Sequence, residues 1–110
     1  MQIVCRDDGD VWFEHAHGRA CGVTRERVFF LMTLRVEDVH QNCGIGSDIL
    51  RAVARWCADE GIRRVDVDDM SCRFRKENNI YRRAGFVYRH VHGPEMYASP
   101  RNMIECLKRT

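Results

Sequence analysis

The sequence predicts an α/β fold with a mixed sheet, and three observations predict it. The run Val28-Phe29-Phe30-Leu31-Met32-Thr33-Leu34-Arg35-Val36 is apolar without helical spacing, as in a strand buried on both faces. A glycine-containing loop follows, and then Ile49, Leu50, Val53, Ala54, Trp56 and Cys57 recur at helical steps until Gly61. Ile62-Arg63-Arg64-Val65-Asp66-Val67-Asp68-Asp69-Met70 then alternates apolar with charged positions, as a strand with one buried face does. Strand, helix and strand joined by a right-handed crossover place the two strands parallel.

The other elements follow in chain order. Ile3 to Cys5 is a short edge strand, broken by the turn cluster Asp7-Asp8-Gly9-Asp10. Val11 to Ala16 and Arg19 to Thr24 form a hairpin about His17-Gly18, and Arg25-Glu26-Arg27 turns into the strand at 28. Ser71 caps a helix over about Arg73 to Ala84, stopped by Gly85. Phe86 to Val91 and Glu95 to Ala98 make a closing hairpin about His92-Gly93-Pro94. Ser99-Pro100 opens a last helix, about 100–109, whose stripe Met103, Ile104 and Leu107 serves core packing or a homodimer contact.

The 110 residues make one domain, 1–110, with one core and no repeat or low-complexity linker. A net charge of +2 from interspersed charges does not call for nucleic acid. No signal-peptide core or span of about 18 apolar residues is present, so no membrane association is expected and the chain reads as soluble and cytoplasmic. The six cysteines form no Cys-x-x-Cys pair and read as reduced thiols.

Function is concentrated in the loop Gln41-Asn42-Cys43-Gly44-Ile45-Gly46-Ser47. A strand that feeds a helix through such a turn leaves the first helical amides unpaired, with about half a positive charge from the dipole, and this suits a phosphate. A P-loop requires Gly-Lys-Ser/Thr, and no Lys is present; a dinucleotide fingerprint requires a small residue where Ile49 stands. The remaining pattern is Gln/Arg-x-x-Gly-x-Gly/Ala, met by Gln41-x-x-Gly44-x-Gly46 and entered from Leu34-x-Val36.

This loop resembles the acyl-CoA loop of the Gcn5-related N-acetyltransferases, the GNAT superfamily. Tyr81-Arg82-Arg83-Ala84-Gly85-Phe86 is similar to the family's downstream Tyr-x-x-x-Gly-Phe, and the resemblance runs from about Val11 to Ser99. It implies a mostly antiparallel sheet with a central splayed parallel pair and helices on both faces. It also implies acetyl-CoA as co-substrate: the amides from Asn42 through Cys43, Gly44, Ile45, Gly46 and Ser47 on the pyrophosphate, and the backbone of Leu34 and Val36 on pantetheine. Tyr81 takes the position of the general acid that protonates the CoA thiolate; the other reading of Tyr81 is an aromatic packing residue. The family's pantetheine-contacting Asn is replaced by Phe74, with Asn78 and Asn79 nearby.

Between Cys5 and Val11 there is no room for the two helices that the family places between its first strands. An open acceptor side suits a protein lysine or N-terminus as the amine acceptor, a partner subunit, or an interaction or inhibitor protein that binds CoA without turnover. Where some members have a catalytic glutamate this chain has Phe30, which leaves Glu26, Glu37, His40, Asp68 and Asp69 as candidate bases. Asp66, Asp68 and Asp69 could attract a cationic amine or form a solvated face. His15-x-His17 and His90-x-His92 find no further ligands at supporting spacing, so no metal is expected. Arg73, Arg75, Lys76, Arg82 and Arg83 read as a solvated helix face or as attraction to the 3′-phosphate of CoA before nucleic acid.

Overall fold

In the computed structural model, residues 1–6, 9–40, 44–71, 73–76 and 78–108 are described. Chain order is β1 (Gln2–Cys5), β2 (Asp10–His15), β3 (Gly18–Arg25), β4 (Val28–Val36), a 3₁₀ turn (Asp38–His40), α1 (Ile45–Asp59), β5 (Arg64–Asp68), α2 (Ile80–Arg83), β6 (Val87–Tyr88), β7 (Glu95–Ala98) and α3 (Pro100–Leu107). One seven-stranded sheet runs β1-β2-β3-β4-β5-β7-β6. Among the described residues only β4 and β5 pair in parallel, from Val28 opposite Arg64 to Leu31 opposite Val67.

The apolar stripe of α1 places Ile49, Leu50, Val53, Ala54 and Cys57 in the core against Phe13, Phe29 and Leu31. Phe13, Phe29 and Trp56 meet edge to face at 5.8 to 5.9 Å. α3 packs on α1 and buries Met103 and Leu107 within the chain; the Arg51 guanidinium donates to the Leu107 carbonyl at 3.0 and 3.2 Å. Cys5, Cys21, Cys57 and Cys106 are free thiols, and burial pushes the Cys57 thiol up to about 12. No helix among the described residues is long and apolar enough to cross a membrane.

Four expectations need correction. β4 is not buried on both faces: Phe29 and Leu31 are sealed, while Phe30 is 38% and Met32 63% exposed. The reason is length: four residues separate β1 from β2, too few for a helix long enough to lie over Phe30 and Met32, while α1 and α3 lie together on the Phe29 side. The helix expected over 73–84 shrinks to Ile80–Arg83, because Arg75 has a left-handed φ of 60° and the Ser71 hydroxyl donates to Asp69 at 2.6 Å. β5 spans Arg64–Asp68 rather than 62–70, and β6 is confined to Val87–Tyr88.

Candidate functional site

The site begins where two strands part. The β4–β5 ladder ends at Leu31 and Val67, β5 continues alongside β7, and β4 runs on to Val36 paired with β3 alone. Met32 to Leu34 therefore have no strand partner on the β5 side. At the split lies a cleft of 350 Å³. Leu34 and Val36 form one wall, Gly44, Ile45, Gly46 and Ser47 the next, and Tyr81 and Ile80 close it. All seven described candidate residues thus meet in one cavity; Gln41, Asn42 and Cys43 lie outside the described residues.

Gly44 is the N-cap of α1 in a left-handed conformation, φ 83°, which favours glycine, and a Cβ there would meet nothing within 4 Å. The first ladder bond runs from the Asp48 amide to the Gly44 carbonyl at 3.0 Å. The amides of Ile45, Gly46 and Ser47 precede that bond, and no side chain caps them among the described residues. Gly46 has a different reason to be glycine: a Cβ would run into the Ile80 side chain, so its smallness lets α1 pack on α2.

Tyr81 is held by a buried polar chain that the sequence reading missed. Asp69 is 1% exposed and accepts from Ser71 N (3.2 Å), Ser71 Oγ (2.6 Å), Tyr88 Oη (2.6 Å) and Asn79 Nδ2 (2.7 Å). Burial raises its carboxyl, but the bonds from Ser71, Tyr88 and Asn79 outweigh it and hold the group below the ordinary carboxylate range. Asn79, fully buried, turns its Oδ1 to the amides of Tyr81 (2.8 Å) and Arg82 (3.3 Å) and so caps α2. Its extended backbone followed by Ile-Tyr-Arg-Arg is a legible N-cap signal; the burial of Asp69 is not. The Tyr81 ring packs edge to face on Phe86 at 5.8 Å. Burial first, and the Asp69 charge second, push its phenol up to about 12, so it stays protonated throughout the neutral range.

The basic side chains divide. Arg73 and Arg83 line the cleft, and so does Asn78. Arg75 is instead consumed, donating to the carbonyls of His90 and Gly93 at 3.1 Å and stacking on Tyr88 at 4.2 Å. Phe74 stacks on Tyr88 as well, with ring centroids 5.6 Å apart.

Candidate bases divide too. Glu26 sits at the opposite end of β4 from the cleft, and Asp69 is saturated by donors. Asp66, expected to attract a cationic amine or form a solvated face, is instead paired with Arg64 at 2.7 Å and Arg89 at 3.6 Å. His40 lines the cleft, while Glu37 and Asp38 border a second depression of 810 Å³ with Glu14, His15 and Arg35. Leu34 and Val36 line both cavities. Neither histidine pair lies within one strand: His17 lies in the β2–β3 turn, and His90 and His92 lie between β6 and β7.

A model of the acetyltransferase (GNAT) family matches residues 3–86. No curated protein sequence matches the chain. Among solved structures, a GNAT-family structure from Desulfovibrio desulfuricans is similar with a TM-score of 0.62 at 19% identity, over 81% of this chain and 66% of that one. The anti-CRISPR protein AcrVA5 is similar with a TM-score of 0.67 at 19% identity, over 83% of this chain and 99% of that one. The PaiA N-acetyltransferase of Thermoplasma acidophilum, solved with coenzyme A, is similar with a TM-score of 0.64 at 16% identity, over 76% of this chain and 53% of that one. The chain thus spans just under two thirds of the first and about half of the last, and these likenesses show the fold.

Proposed function

The chain belongs to the acetyltransferase (GNAT) family, and from that premise we propose that it transfers an acetyl group from acetyl-CoA to a primary amine. The observation that carries the reading is one cleft, at the split of two parallel strands, that holds both the uncapped start of α1 and the protonated phenol of Tyr81. The amides of Ile45, Gly46 and Ser47 suit the pyrophosphate, together with the Gln41, Asn42 and Cys43 segment before them. The strand edge at Leu34 and Val36 suits the pantetheine amides, and Arg73 and Arg83 suit the remaining phosphate charge.

In the reaction the neutral amine forms a C–N bond to the thioester carbonyl, the C–S bond breaks, the amine's surplus proton passes to solvent, and the departing thiolate takes up a proton to leave as the CoA thiol. Tyr81 supports the second half: a phenol near 12 cannot act as a base at neutral pH, but it can donate to the charge that develops on sulfur. Glu14, Glu37 and Asp38 border the larger depression against Arg19 and Arg35, a net negative lining that suits an ammonium near Leu34 and Val36. The bare strand face at Phe30 and Met32 suits contact with a large acceptor, which favours a protein lysine or N-terminus. Free thiols suit a cytoplasmic setting.

Calorimetric titration with acetyl-CoA, followed by thiol release on a panel of peptide and small amines, tests the reading. Saturable binding with thiol release on peptides supports it; acetylation of small amines alone overturns the protein acceptor, and no binding at millimolar acetyl-CoA overturns the whole. A second reading is an interaction or inhibitor protein that binds CoA without turnover, and the fold shared with an anti-CRISPR protein over nearly that protein's full length supports its inhibitor part alone. CoA binding with no thiol release on any amine selects it.

A further inference from the structure

The β2–β3 turn brings His17 against Glu37 and His40, which lie three residues apart in the β4–α1 connection. One ligand atom from each of His17, Glu37 and His40 lies within 4.8 Å of the others. His17 Nδ1 is 3.9 Å and His40 Nε2 is 3.7 Å from Glu37 Oε2, both beyond hydrogen-bond length. The two imidazoles stack with centroids 3.8 Å apart and planes tilted by 30°. The geometry points to a divalent transition-metal site of the zinc class, with His17 Nδ1, Glu37 Oε2 and His40 Nε2 as ligands.

Bonds of about 2.0–2.1 Å in a tetrahedral shell set ligand atoms about 3.3–3.5 Å apart. Closing the 3.9 and 3.7 Å separations requires the two stacked imidazoles to swing apart so that both nitrogens converge on Glu37 Oε2; with 42%, 35% and 56% of the His17, His40 and Glu37 side chains exposed, the rings are free to turn. The backbone beneath is already fixed: the Glu37 amide donates to the His17 carbonyl at 2.9 Å, the His40 amide to the Glu37 carbonyl at 2.9 Å, and Gly18 pairs with Val36. The His17 amide donates to His15 Nδ1 at 3.0 Å, which anchors the turn. Two imidazoles and one carboxylate select zinc, cobalt or nickel over magnesium or calcium. Three protein ligands leave a fourth position for water, as in open zinc sites. Because His40 also lines the 350 Å³ cleft, the ion would clamp the β2–β3 turn to the wall of that cavity.

The test uses the metal-stripped chain titrated with Co²⁺, read by visible absorption, with Zn²⁺ in competition. One equivalent should bind with the intense bands of a tetrahedral site, and Zn²⁺ should displace it and raise the melting temperature. His17→Ala, His40→Ala and Glu37→Gln should each weaken binding at least ~10-fold, their folding checked by circular dichroism. His92→Ala, at an exposed histidine elsewhere, should bind as the parent does. Absence of saturable Co²⁺ binding, unchanged affinity in the three variants, or an equal loss in His92→Ala overturns the site. No acyl-CoA enters these measurements, so their failure and that of the proposed transfer are separable.

Discussion

Asn79 joins Asp69 to the helix that carries Tyr81: its Nδ2 donates to the Asp69 carboxylate at 2.7 Å while its Oδ1 accepts from the Tyr81 amide at 2.8 Å. Asn79→Ala removes a cap and strips a buried carboxylate of a donor, and should destabilise the chain by about 2–4 kcal/mol. Asn79→Asp keeps the cap but sets a second carboxylate beside the first, so its loss should exceed that of the alanine variant at pH 7 and shrink on acidification. Urea denaturation at two pH values reads both.

Tyr81→Phe should leave the fold intact, since the phenol makes no hydrogen bond to the described residues and its ring packing on Phe86 survives. Under the proposed transfer, kcat should fall by about 10²-fold while the acetyl-CoA dissociation constant stays within about twofold. A Tyr81→Phe enzyme as fast as the parent would reduce the residue to packing.

The pH dependence has opposite signs at two groups. The folded Tyr81 phenol, at about 12, lies above its ordinary value of about 10, so its contribution is complete below about pH 10 and drains as pH rises through 12. The folded Asp69 carboxyl lies below its ordinary value, so its contribution is complete above about pH 4 and is lost as pH falls through the folded value. Denaturation midpoints should fall in both windows, and Tyr81→Phe and Asp69→Asn should each flatten its own.

Gly22→Ala tests the core independently of any ligand. Gly22 sits at the register irregularity between β3 and β4, where a Cβ would overlap the Phe30 carbonyl and the Phe29 ring. A cost of about 1–3 kcal/mol or more is expected, read by thermal denaturation. Gly44→Ala, in open space, should cost only about 1–2 kcal/mol from its left-handed backbone.

What the sequence made legible was local. The period-3.6 stripe from Ile49 to Cys57, the turn at Glu26 and Arg27, and the Ser99-Pro100 helix start all appear where expected, because each is set by neighbours along the chain. Leu34, Val36, Gly44 to Ser47 and Tyr81 line one cleft, and the strand, loop and downstream motif that singled them out are each local patterns; their roles toward CoA remain a proposal. What stayed hidden depends on contacts across the fold. Phe30 and Met32 are apolar yet exposed, so composition alone read β4 as doubly buried. Asp69 looks like one more charge on an alternating strand until Asn79, Ser71 and Tyr88 close around it. His17 gains Glu37 and His40 only through pairing of Gly18 with Val36.

The early end of the β4–β5 ladder has a geometric consequence of its own. Leu34 and Val36 become a shared partition between a small recess and a wide basin. Two molecules lodged one on each side would be held apart by no more than a single strand's thickness, and could meet over its edge without any moving part.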